Sequence, residues 1–266
     1  MKLLPQNESL LMTLEGYSTF MQDIAKVEWN TQITQESASS GNAPLTVVPI
    51  HGTMLRGLSP RIQAILNYFG AKVVDTEQVA AKLRELKNDD AVKVVVLDIN
   101  SPGGRITGTP ELAAAVQELC KSKYVYAYSG DAACSAAYWV ASQCDAVYAA
   151  PSAQLGSIGV LLPILDSKEK HEKSGLKVDA ISAGKFKTAG LVGTSLTDEQ
   201  RAFLQSKVNQ NWNRFKAAVN IRRNVDAAHM EGQSFMGIDA VELGLADDTI
   251  NSLDELKVKL KRRHRL

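Results

Sequence analysis

The stretch Val92 to Ile99 constrains the fold most. It is apolar except for Lys93 and Asp98, it is rich in β-branched residues, and it stops abruptly at Asn100-Ser101-Pro102-Gly103-Gly104. A run of this kind reads as a strand buried on both faces, and such strands belong to parallel sheets covered by helices. Similar short runs recur at Thr46 to Ile50, Tyr124 to Tyr128, Ala146 to Ala149 and Val178 to Ile181. Between the strands, Val79, Ala80, Leu83 and Leu86 share one helical face, preceded by Asp75 and Gln78 at capping-box spacing. Strands alternating with helices specify an α/β domain with largely parallel pairing. Ligand sites in such sheets lie beyond the carboxyl ends of the strands. The loop after Ile99 and the small-residue segment Ser129 to Ala137 after Tyr128 are therefore expected to meet at one sheet edge.

Around this domain the chain divides into three parts. Residues 1–44 read as an N-terminal arm ending in the polar linker Ser37 to Asn42, residues 45–255 as the folded domain, and residues 256–266 as a basic tail containing Lys261, Arg262, Arg263 and Arg265. Without those four cations a chain of formal charge +1 becomes mildly acidic. The tail thus reads as a solvated end or as a contact for an anionic partner such as nucleic acid or a capsid surface. Of the 266 residues, 45% are apolar and 22% charged, which fits a globular protein and argues against disorder, collagen or a dedicated nucleic-acid binder. Cys120, Cys134 and Cys144 form neither a CxxC pair nor a zinc-spaced cluster, so no disulfide framework and no metal site is expected. The start of the chain lacks the apolar run of a secretory signal, and Ile158 to Leu165 is too short to cross a bilayer. The expectation is a cytoplasmic protein without a membrane anchor. A long helix is expected from about Thr197 to Arg222, with Leu204, Val208, Trp212 and Phe215 as packing residues.

A serine nucleophile ordinarily uses a histidine base, and four histidines are available. His171, His229 and His264 lie in charged or terminal segments, and only His51, at the end of the first strand, has a plausible site address. A lysine is the alternative. It acts as a base only when neutral, so its pKa must fall from about 10.4 towards 7, a shift of roughly 3 units that burial can supply. Lys187, among the small residues of Ile181-Ser182-Ala183-Gly184-Lys185-Phe186-Lys187-Thr188-Ala189-Gly190, is a candidate, and Lys185 competes with it. On these residues alone a solvated surface charge explains either lysine equally well.

The ordered set Val47-Val48-Pro49-Ile50-His51-Gly52, Asn100-Ser101-Pro102-Gly103-Gly104, Ala133-Cys134-Ser135-Ala136-Ala137-Tyr138, Gly156-Ser157-Ile158-Gly159-Val160 and Gly184-Lys185-Phe186-Lys187 resembles the signal peptide peptidase A family of serine endopeptidases. Leu196-Thr197-Asp198-Glu199-Gln200 and Gly237-Ile238-Asp239-Ala240-Val241-Glu242-Leu243-Gly244-Leu245-Ala246-Asp247 extend the likeness, which covers about residues 45 to 255. The resemblance implies a single catalytic domain of ClpP/crotonase-like repeated strand-strand-helix units. It implies Ser135 as nucleophile, Lys187 as general base and Ser157 as the hydroxyl that orients the lysine amine. Backbone N–H groups at Gly103, Gly104 and Ala136 would form the oxyanion hole. It implies no cofactor, and an oligomer in which serine and lysine can come from adjacent subunits. Where the family usually has glycines after the nucleophile, this chain has Ala136 and Ala137, and Cys134 precedes Ser135 as a small buried neighbour. Cys-Ser-Ala-Ala looks more like the phage and prophage capsid-assembly members, which act in the host cytoplasm or prohead on scaffold or other head proteins.

Three other readings stay open. One is a bacterial protease of the signal-peptide-clearing kind. Another is an inactive structural homologue, which Ala136 and Ala137 would allow. The third, a crotonase-type acyl-CoA enzyme, would need a carboxylate pair near the glycine loop, and no acidic residue here sits in a matching motif.

Overall fold

The computed structural model describes residues 10–12, 43–59, 62–63, 65–66 and 70–266. Its elements in chain order are β1 (Leu10–Met12), β2 (Leu45–His51), β3 (Thr53–Leu55), β4 (Val73–Asp75), α1 (Thr76–Lys87), β5 (Val94–Asn100), β6 (Gly103–Arg105), α2 (Thr109–Cys120), β7 (Tyr124–Ser129), β8 (Ala132–Cys134) and α3 (Ala136–Ala141). They continue with β9 (Ala146–Ala149), β10 (Gln154–Gly156), α4 (Lys168–Lys173), α5 (Asp198–Val219), β11 (Ser234–Met236), α6 (Gly237–Glu242), β12 (Asp248–Thr249) and α7 (Leu253–His264). The linker Ser37 to Asn42 and most of the N-terminal arm lie outside the described residues.

Five strands form a fully parallel sheet in the order β12-β9-β7-β5-β2. The apolar run that anchors the sequence reading is its inner strand β5, and alternation divides its side chains between two cores. Val95, Leu97 and Ile99 join the large core beneath α1, α2, α3 and α5, whereas Val94 and Val96 face the smaller core that Leu256 and Leu260 of α7 close. Full burial of each such side chain contributes about 1.5–3 kcal/mol. A polar residue at any of these five buried positions would leave one core broken.

Each inner strand gives way to a turn, a three-residue strand and then, in the first two cases, a helix, as in β5-β6-α2 and β7-β8-α3. This is the expected strand-strand-helix unit. The short strands build a second layer: β8 runs parallel to β10, and β11 pairs antiparallel with β10 on its other side. A further sheet has the order β1-β6-β3-β4. The layer of short strands brings the ends of β5, β7 and β9 together.

Three expectations need correction. Val178 to Ile181 is not a strand, and Ile181 is 100% exposed. Its apolar content finds no neighbouring strand among the described residues. Asp75 does cap α1, accepting from the Glu77 N–H at 2.8 Å, but Gln78 donates to Leu58 O instead of completing a capping box. The complete box belongs to α5, where Thr197 and Gln200 bond reciprocally at 3.2 Å. The basic end is also no loose tail, because α7 runs through residues 253–264 and His264 packs at 4.2 Å from the Tyr124 ring.

Candidate active site

Between the end of β8 and the first residue of α3, Ser135 alone turns the chain from strand to helix. It does so at φ 54° and ψ −119°. Among the described residues only Ser157, at 51°, and Arg265, at 55°, are other non-glycine residues with positive φ. Such backbone costs about 1–3 kcal/mol and persists only where the surroundings enforce it. Here the enforcement is visible. Ser135 N–H donates to Gly156 O at 2.8 Å, Ser135 O accepts from Trp139 N–H at 2.9 Å, and Cys134 N–H donates to Ser101 O at 3.1 Å. A serine at the start of a helix ordinarily spends its hydroxyl on capping. Ser135 does not, and its Oγ is buried with no hydrogen-bond partner.

Parallel pairing of Cys134 with Gly156 sets the next residues, Ser135 and Ser157, side by side. Ser157 is buried and is tied by its N–H to Gln233 O at 2.6 Å. The glycine loop arrives from the other side. Ser101 bridges to Ala133, and its Oγ accepts from the Gly103 N–H at 3.1 Å, fixing the Pro102-Gly103 turn in which Gly103 adopts φ 105°. That N–H is therefore already engaged. At Gly104 a Cβ would stand 1.9 Å from Met54 O, so only glycine lets β6 approach β3. The N–H of Ala136 belongs to the first helical turn, whose donors have no intrahelical partner. Strand β6 packs against α3, so the two predicted donor regions share one locality with Ser135.

Beneath the serine the packing is dense. Trp139 stacks on Phe215 of α5 with centroids 4.9 Å apart, Tyr138 Oη donates to Leu245 O at 2.8 Å, and Arg223 joins Asp247 while donating to Cys144 O at 2.8 Å. Burial, reinforced by Asp131, pushes the Cys134 thiol up to about 12. At neutral pH it stays a thiol, unfit as a nucleophile. His51 bonds Asp98 at 2.8 Å on an exposed strand end. Its ring is thereby committed to a carboxylate on the smaller-core face of β5.

Lys187 lies in a different setting. It is exposed, its N–H donates to Gly184 O at 3.0 Å, and its amine has no partner among the described residues. Because Ser135 Oγ is also unpartnered, the chain does not bring these two together. The Lys187 loop is nevertheless anchored at its base. Gln200 donates to Lys185 O at 2.9 Å and to Thr188 Oγ1 at 3.1 Å, and Phe186 stacks on Phe203 at 4.5 Å. Lys185 pairs with Glu199, which separates it from Lys187 in kind. Phe203 and Phe215 are twelve residues apart on α5, or about 18 Å along its axis. The helix thus spaces the lysine loop away from the Trp139 stack.

Residue-level reasoning missed Ser101, although a serine two residues before a glycine in Ser-Pro-Gly is a sequence cue for the hydroxyl-to-backbone turn found here. It also missed Gln200 and Gln233, whose roles depend on partners distant in sequence. Among the described residues no cluster of three or more His, Cys, Asp or Glu could hold a metal ion, and no helix is long and apolar enough to cross a membrane.

The chain is similar to a protein provisionally named a protease in Methanocaldococcus jannaschii, 34% identical over 66% of this chain and 58% of that one. It is also similar to the head-tail preconnector protein of Enterobacteria phage P21, at 31% identity over 80% of this chain and 42% of that one. Capsid assembly protease C of Escherichia phage lambda is 28% identical over 80% of this chain and 48% of that protein. The chain therefore spans about half the length of these curated relatives. The family model of peptidase family S49 matches residues 117–266, more than half of the chain and the part holding Ser135, Ser157 and Lys187, and the chain belongs to that family.

Proposed function

We propose that the chain is a serine endopeptidase with a Ser-Lys dyad. Ser135 Oγ attacks the scissile carbonyl carbon as its proton passes to the neutral Nζ of Lys187, and the carbonyl π electrons move onto oxygen. The backbone N–H groups of Ala136 and Gly104 stabilise that oxyanion, the Gly103 N–H being held by Ser101. Its collapse expels the amine, which takes the proton from Lys187, and water then hydrolyses the acyl-serine through the same base. Ser157 orients the amine. The observation that carries this reading is the buried, unpartnered Ser135 hydroxyl on a strained strand-to-helix turn.

The base reaches the serine from an adjacent copy of the chain. An exposed lysine and a buried serine cannot form a dyad within the geometry of one copy, and the segment that carries Lys187 exposes several apolar side chains. Leu165, Leu176, Ile181, Leu191 and Val192 of residues 161–199 are exposed, as is Phe203, which stacks on Phe186 of the lysine loop. Apolar surface gathered in this way marks association sites, and docking against a second copy would remove water from Lys187, the condition for a neutral amine.

The substrates are proteins of a phage or prophage head, the capsid scaffold among them, and the site of action is the host cytoplasm or prohead. Similarity to the two phage proteins supports this reading. Treatment with a small fluorophosphonate, followed by peptide mass spectrometry, tests the enzyme class. Labelling confined to Ser135 is expected. An unmodified Ser135 in a folded, oligomeric sample would favour an inactive structural homologue.

A further inference from the structure

The sheet β1-β6-β3-β4 contains one strand from the N-terminal arm. Leu10, Leu11 and Met12 pair antiparallel with Arg105, Gly104 and Gly103, so the arm lies along the two glycines that stand beside Ser135. β1 is the edge strand, and its departure would leave β6 with an unpaired row of N–H and C=O groups. Such an edge accepts any extended polypeptide through main-chain hydrogen bonds, with little demand on its sequence. A second observation concerns access. Ser135 has no exposed surface, so a substrate carbonyl cannot reach Oγ until something beside it moves. A three-residue strand has few ladder bonds to surrender, which makes β1 an exchangeable occupant.

We infer that Leu10–Met12 is an internal competitor for the position that an extended peptide takes along Gly103–Arg105, and that the N-terminal arm must leave β6 before a substrate strand binds. This rests on the Ser-Lys reading only in taking β6 as the strand beside the scissile bond. The occupant is a segment of this chain, and the ligand class it imitates is an extended, sequence-tolerant polypeptide.

The test uses full-length chain carrying Leu10→Pro and Leu11→Pro together. Successive N–H groups of a strand point to opposite sides, so one of the two prolines must delete a donor facing β6. In a Ser135→Ala background, which removes chemistry from the readout, binding of a fluorescent peptide spanning Gln6 to Glu15 is measured by anisotropy. The proline pair is expected to tighten binding about tenfold, as when a competent state rises from one-tenth to nearly full occupancy. The same peptide in excess is expected to slow casein cleavage by the proline-pair chain with Ser135 intact. Unchanged or weaker binding, or binding that leaves cleavage unaffected, would overturn the inference. Failure of the Ser-Lys reading would appear separately, as absence of fluorophosphonate labelling at Ser135 in the proline-pair chain, while the binding measurement would still decide the role of β1.

Discussion

Every residue from Ala133 to Cys144 is buried, whereas in residues 161–199 only Gly193 is. Both segments carry a residue of the proposed dyad. The first holds Ser135 at positive φ through bonds to Gly156 and Trp139 and through the Trp139–Phe215 stack. The second holds Lys187 on a loop clipped to the start of α5 by Gln200, with its amine in solvent. On the proposed reading, folding of one chain completes the nucleophile's half of the site and leaves the base's half for a second copy to finish. The proposed junction would cover the exposed apolar residues of the second segment, Leu165, Leu176, Ile181, Leu191 and Val192.

Lys187→Ala is expected to lower kcat on a protein substrate by about 10³-fold or more, with folding intact, because an exposed loop residue makes no packing contribution. Lys187→Arg should not rescue it, since guanidinium does not deprotonate. Replacement of Lys185, paired to Glu199 at the surface, should change kcat little. A large loss at Lys185 with activity kept at Lys187→Ala would reverse their roles. In the buried segment, Phe215→Ala removes the ring beneath Trp139 and should cost about 3–5 kcal/mol of stability, read by denaturant unfolding. The smallest effect is the most specific. Ser135→Gly relieves the positive-φ backbone and should unfold a few degrees above Ser135→Ala, a difference of about 1 kcal/mol, although both are inactive. Equal melting temperatures would show that the turn at Ser135 is not strained.

The buried half was largely legible in sequence and the exposed half was not, for physical reasons. Val92 to Ile99, Tyr124 to Tyr128 and Ala146 to Ala149 advertise themselves because strands covered on both faces must be apolar throughout. Observed strands β5, β7 and β9 follow them closely. The three-residue strands β8 and β10, which set Ser135 beside Ser157, carry no periodicity to detect. Val178 to Ile181 has the composition of a strand, but composition does not supply a partner strand. Positive φ at Ser135 and Ser157 was invisible because serine, unlike glycine, does not signal it. The family resemblance supplied both residues, and the pairing of β8 with β10 brings the strand ends that precede them together.

The central claim is that the two halves of the dyad meet between copies. Ser135→Ala and Lys187→Ala chains, each inactive alone, should be mixed in equal amounts under conditions that exchange subunits, and hydrolysis of a protein substrate followed. Junctions that pair an intact serine with an intact lysine would form in about one case in four, so recovery of about a quarter of the unaltered activity is the predicted result. No recovery, in a sample shown by mass spectrometry to contain mixed oligomers, would contradict the account.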